Sequence, residues 1–75
     1  MKKPYQGHES WNAWNVSLWI LNDYSMYQTM RGVFRLYGKS MKAAKRLQSI
    51  MPTRTPDGAP ISVRSCYLVL QSEEV

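Results

Sequence analysis

Residues 11 to 23, WNAWNVSLWILND, hold all three tryptophans of the chain and no charged side chain before Asp23. Ser10 stands where a helix N-cap is wanted, and its hydroxyl can take a backbone N–H of the first turn. At helical spacing Trp11, Trp14, Leu18 and Leu21 share one face, while Val16, Trp19 and Ile20 share another. Asn12, Asn15 and Ser17 are the few polar positions. A helix apolar around most of its circumference wants burial on several sides, so this segment is expected to be the central element. Its indoles are expected in the core, each N–H seeking a partner such as a carbonyl or Asn15. A second reading stays open beside the first. A half-exposed Trp11 next to Tyr5 or Tyr24 would serve as an anchor for a partner, since aromatic side chains carry much of the energy of such contacts.

The demand for a dense centre comes from size. A chain of 75 residues makes one domain, and such a domain hides only about 60% of the surface its unfolded form exposes. Cys66 is the single cysteine, so no internal disulfide can staple the fold. The opening MKKPYQGHES is basic but runs into Pro, Gly and polar residues where a secretory leader would turn apolar. No apolar run reaches the roughly 20 residues that cross a bilayer. The expectation is a cytoplasmic protein of a host cell with no membrane contact. It reads as a single domain over 1–75, with an N-terminal loop at 1–9, a Pro/Gly loop at 52–60 and a tail at 72–75.

Three more elements follow the first. Ser25 can cap a second helix over about 26–37, with Gln28 reaching back in a capping box. Met26, Met30, Val33, Phe34 and Tyr37 form its apolar set, Arg31 and Arg35 the opposite side, and Gly38 its stop. Ser40 caps MKAAKRLQSIM, with Ala43, Ala44, Leu47, Ile50 and Met51 inward and Lys42, Lys45 and Arg46 outward, and Pro52 closes it. In PTRTPDGAP the proline of PDG presets a turn. Residues 62–71 are rich in β-formers, yet alternation does not sort polar from apolar. As a helix capped by Ser62 they put Val63, Cys66, Tyr67 and Leu70 on one face. A lone strand would have nothing to pair with, so the helix is the reading taken. The fold class expected is all-α, a small three- to four-helix bundle around the Trp-rich helix. Its structural core would be Trp14, Leu18, Trp19, Ile20, Met30, Phe34 and Leu47.

The block Trp11, then Trp14 to Ile20, followed by Asn22, Asp23, Met26 and Tyr27, and later Thr55 to Gly58, resembles a pattern found in short proteins of bacteriophages, prophages and their hosts. That pattern is an aromatic-x-x-W-N-V-x-L-W-I block, then N-D-x-x-[LM]-Y, then a T-P-D-G turn ahead of a final helix. The resemblance implies a helical fold and a mobile-element origin, and it implies no activity. This chain departs from the pattern in its last segment, APISVRSCYLVL, which is basic and apolar where the family is rich in acid, and in its unusually cationic third helix.

Groups for catalysis are sparse. His8, the one histidine, sits in the N-terminal loop beside Glu9, a position more typical of a solvated or capping side chain than of a catalytic dyad. Cys66 falls on the inward face of its helix, where a thiol acts as a small hydrophobe. The acids Glu9, Asp23, Asp57, Glu73 and Glu74 are scattered over loops and tail. No nucleophile with a base, paired carboxylates, metal ligand set or phosphate loop emerges. The chain therefore reads as non-enzymatic, with no catalytic residue, metal or cofactor.

Charge is more informative. Between Tyr24 and Pro56 there is no acid, whereas Arg31, Arg35, Lys39, Lys42, Lys45, Arg46 and Arg54 all fall there, in a chain of net charge +5. Such a basic rim can be a plain solvating face, but solvating faces usually interleave acids in i,i+4 pairs. It can also attract polyanions. The leading expectation is a small mobile-element accessory protein that binds stoichiometrically to a host protein or ribonucleoprotein complex with an acidic surface. An anti-defence inhibitor of CRISPR interference or of a restriction enzyme would be one example. Positive net charge argues against mimicry of DNA. The alternative is direct, sequence-independent nucleic-acid binding, in which Arg31, Arg35, Lys42, Lys45 and Arg46 contact phosphates. Self-association through a residual Trp or Met patch is a further expectation for partners.

Overall fold

A computed structural model describes residues 10–73. Four helices follow in order: α1 (Trp11–Asn22), α2 (Tyr24–Tyr37), α3 (Met41–Ile50) and α4 (Val63–Ser72). Together they form a small all-α bundle, and residues 62–71 are helical. Each helix packs on two others, because α1 and α3 both lie against α2 and α4. This leaves α1 and α3 across the bundle from one another.

Short polar side chains start every helix. Ser10 accepts from Ala13 N, Asp23 from Met26 N and Ser40 from Ala43 N. At α4 the cap is reciprocal: Ser62 Oγ accepts from Ser65 N at 3.1 Å and Ser65 Oγ from Ser62 N at 3.0 Å. The expected start of α2 needs correction. The cap is Asp23 and not Ser25, and the helix opens at Tyr24. A carboxylate suits a helix N-terminus better than a hydroxyl, because it also meets the positive end of the helix dipole. Only Asp23 therefore separates α1 from α2. Gly38 ends α2 at φ +70°, ψ −150°, a region that side chains with a Cβ strongly avoid.

The core is built from modest side chains. Val16 and Ile20 of α1, Met30, Val33 and Phe34 of α2, Ala43, Ala44 and Leu47 of α3, and Cys66, Val69 and Leu70 of α4 are buried together with Met51, Ala59 and Ile61. Full burial of a side chain such as Leu47 or Ile20 is worth about 1.5–3 kcal/mol. Four of the seven core residues expected from sequence are in this cluster: Ile20, Met30, Phe34 and Leu47. The other three are corrections. Trp14 and Trp19 are only half-buried, and Leu18 is exposed. The inward face of α1 is instead Ala13, Val16, Ser17 and Ile20. The face of α1 that α2 and α4 cover is this one, and the bulkier indoles lie to either side of it. Ile50 and Tyr37, also expected inward, stand at the surface.

Between α3 and α4 the chain makes a miniature hairpin. Gly58 N donates to Thr55 O at 2.8 Å, Thr55 N to Ala59 O at 2.9 Å and Ile61 N to Thr53 O at 2.9 Å. Pro56 and Asp57 occupy the centre of the turn, and Gly58 follows at φ +95°. This is a three-residue hairpin loop closed by a left-handed glycine.

Candidate functional site

Two features of the surface stand out, and the hairpin explains one of them. At 100° per residue Asn15 points away from the Ala13, Val16, Ser17 and Ile20 face, yet it is buried. The hairpin lies over it. Asn15 Nδ2 donates to Asp57 Oδ2 at 2.9 Å, and the same oxygen accepts from Trp19 Nε1 at 2.9 Å. Asn15 Oδ1 accepts from the buried Thr55 hydroxyl, which in turn accepts from Ala59 N at 3.0 Å. The chain of donors thus runs from Ala59 through Thr55 to Asn15 and ends on Asp57. Asn15, and secondarily Trp19, holds the Asp57 carboxyl below its ordinary pKa, because both donors favour the ionised form. Arg54 adds a bond from its guanidinium to Gly58 O at 2.8 Å. Arg54 is therefore a strap on the hairpin as well as an exposed cation.

Sequence alone offers Asn15 as a partner for an indole and leaves Asp57 among scattered acids. In the structure the indole of Trp19 and the amide of Asn15 share Asp57. The one signal available was the pairing of a turn-forming Thr-Pro-Asp-Gly with a polar residue on an otherwise apolar helix.

The second feature is the basic surface. Arg35, Lys39, Lys42, Lys45, Arg46 and Arg54 are all exposed. Lys42, Lys45 and Arg46 share the outer side of α3, opposite Ala43, Ala44 and Leu47. Lys42 Nζ stands 5.7 Å above the Tyr37 ring, within range of a cation–π contact. Arg31 departs from the expected rim. It is half-buried, with its guanidinium 5.3 Å from the Phe34 ring centre and 3.6 Å from a Glu73 carboxylate oxygen. That oxygen is buried and has no hydrogen bond, so the pair is a charge contact slightly longer than a bonded one. It ties α2 to the end of α4. Nearby, Gln71 Nε2 donates to Lys39 O at 2.9 Å, fastening α4 to the turn between α2 and α3.

Apolar side chains interrupt the cations at that turn. Leu36 is 78% exposed, and Met41 and Tyr37 are also at the surface. Arg35, Leu36, Tyr37, Lys39, Met41 and Lys42 therefore form one mixed corner. Of the expected aromatic anchors, Trp11 is partly exposed and Tyr24 almost wholly so. Tyr5, like His8 and Glu9, lies outside the described residues.

Two further titratable groups have structural places. Asp23 caps α2 and Cys66 is fully buried, where desolvation pushes its thiol up to about 12. Among the described residues no three His, Cys, Asp or Glu side chains gather as metal ligands, and no helix is long and apolar enough to cross a membrane.

A family model for a family of unknown function, DUF7249, matches residues 1–59. The chain belongs to that family. The matched stretch takes in α1, α2, α3 and the turn at 55–58, and it stops before α4. Both halves of the hairpin-to-α1 network therefore fall within the family's span. No curated protein and no solved structure matches the chain.

Proposed function

We propose that this protein is a non-enzymatic docking module that binds an acidic protein surface through the corner where α2 meets α3. The observation carrying this reading is the position of Leu36 and Met41, exposed among Arg35, Lys39 and Lys42 in a stretch without any acid. Stable protein interfaces combine apolar anchors at the centre with a polar or charged rim. Nucleic-acid interfaces are more polar and more positively charged than this, and phosphate contacts along a basic face make no use of an exposed leucine. Charge would steer the encounter, and the apolar side chains would hold the complex. In a mobile-element setting, which the sequence resemblance implies, a module of this kind acts by occupying a host complex, as an anti-defence inhibitor does.

The reading is tested by affinity capture from a bacterial host lysate, with and without nuclease and at two salt concentrations. Wild type is compared with Leu36→Ser and with Lys42→Glu/Lys45→Glu, all at exposed sites that leave the core alone. A stoichiometric protein that survives nuclease and is lost in both variants supports docking. Mixed nucleic acid that Leu36→Ser still retains, and that charge reversal or added salt releases, sinks it in favour of phosphate binding along α3.

A further inference from the structure

The side of the molecule opposite the cationic helix has its own character. Trp11 and Leu18 are each 39% exposed and Leu21 41%, and half-buried Trp14 lies between them. Their positions, 11, 14, 18 and 21, repeat with steps of three and four, which is the spacing of a helix seam that receives another helix. This stripe is separate from the inner face of α1, which the bundle already covers. Asn22 is exposed beside it, and α1 contains no charged residue at all.

We infer that this outer stripe is a dimer seam, on which the α1 helix of a second copy of the same chain packs about a two-fold axis. The argument for a second copy is electrostatic. Each chain carries a net charge of +5, so two copies meeting through α3 or the α2–α3 corner would bring like charges together. Meeting through α1 places a helix without charged residues against its equal. It also leaves the two cationic faces pointing away from each other, since α3 lies across the bundle from α1. A two-fold contact requires a self-complementary patch, and a stripe of Trp and Leu on a helix without charged residues meets that requirement. The seam is short, because twelve residues at about 1.5 Å each give roughly 18 Å of helix. The dimer is therefore weak, with dissociation on the order of 100 µM, a free energy of only about 5–6 kcal/mol. Its geometry is independent of what the cationic corner binds. It would nonetheless make any such binding bivalent.

Sedimentation velocity on the full chain between about 10 µM and 1 mM, concentrations that bracket a weak dimer, tests the proposal. Wild type should shift from monomer to dimer across that range. The shift should persist or strengthen at high salt, as apolar association does. Leu18→Glu/Leu21→Glu should remain monomeric at every concentration, with an unchanged helical circular dichroism spectrum, while Leu36→Ser should dimerise like wild type. A wild-type chain that stays monomeric throughout overturns the inference. Dimerisation that survives the double Glu variant, or that high salt dissolves, also overturns it. Leu36→Ser separates this seam from the docking corner, so either reading can fail alone.

Discussion

Asn15 donates its side-chain amide to Asp57 at 2.9 Å, joining α1 to a turn 42 positions further along the chain. The bond closes a relay in which every polar group of a buried asparagine is used. Its Oδ1 takes the Thr55 hydroxyl, and its Nδ2 reaches the carboxylate. The relay decides how the hairpin seats on the bundle and therefore where Ala59 and Ile61 enter the core. It also sets the path by which the chain returns from α3 to start α4.

Removing the amide should loosen that seat. Asn15→Ala leaves the buried Thr55 hydroxyl without its acceptor and takes away one of the two donors on Asp57. An unsatisfied buried partner costs about 1–3 kcal/mol, so the urea midpoint should fall while the helical content stays native. An unchanged midpoint would mean that the Asn15 amide contributes nothing to seating the hairpin.

Acid should act on the same relay from the other end. The Asp57 pKa is lowered from 3.8 in the folded state by its two donors. A depressed carboxyl stabilises the fold above its unfolded pKa and loses that contribution as pH falls through the folded value. Thermal midpoints of wild type should therefore drop as pH is taken below about 4, the ordinary aspartate pKa. Asp57→Asn, which keeps an acceptor oxygen but cannot ionise, should start lower at neutral pH and show a shallower acid slope. Parallel slopes for the two proteins would remove Asp57 from the acid response.

Much of this architecture is legible in the sequence, and the exceptions share a cause. Ser10, Ser40 and Ser62 announce helix starts because a cap acts within three residues, a range that spacing reveals. Period alone places Ala43, Ala44 and Leu47 of α3 inward, but it also places Ile50 there, and Ile50, in the last turn of the helix, stands at the surface. Trp14, Leu18 and Trp19 lie outside the core cluster because hydrophobicity says that a side chain prefers burial and not which of several apolar faces the neighbouring helices cover. Helix α1 carries more apolar surface than its neighbours can cover, and the smaller residues take the seam. Asn15 and Asp57 could not be paired in advance because nothing local links a helix to a turn 42 residues away. The departure of Arg31 from the rim has the same origin, as its carboxylate partner is Glu73 at the far end of the chain.

Two glycines of the α2 region should respond oppositely to alanine. Gly32 sits inside α2 with nothing within 4 Å of an added Cβ, so Gly32→Ala gains helix propensity without a clash. It should stabilise by about 0.5–1 kcal/mol. Gly38 also has open space around it, but its φ of +70° strains any residue with a Cβ. Gly38→Ala should destabilise by about 1–3 kcal/mol, read as a lower melting temperature. Equal effects at the two positions would contradict the backbone geometry at the end of α2.

Cys66 offers a probe of how the bundle opens. Its thiol is fully buried between α4 and the rest of the core, and burial lifts its pKa to about 12. Only the thiolate attacks a disulfide reagent, so at pH 8 the native state presents neither the right ionisation nor a path for the reagent. Labelling should therefore require unfolding of α4. Its rate should rise with urea in step with loss of helical signal, because α4 is packed on both α1 and α3 and has no route to expose Cys66 while they stay joined. Asn15→Ala should speed labelling by the factor that its loss of stability predicts, about tenfold for each 1.4 kcal/mol, if α4 opens only with the whole bundle. A labelling rate indifferent to that substitution would show that α4 detaches by itself, and the hairpin would then be the hinge on which it swings.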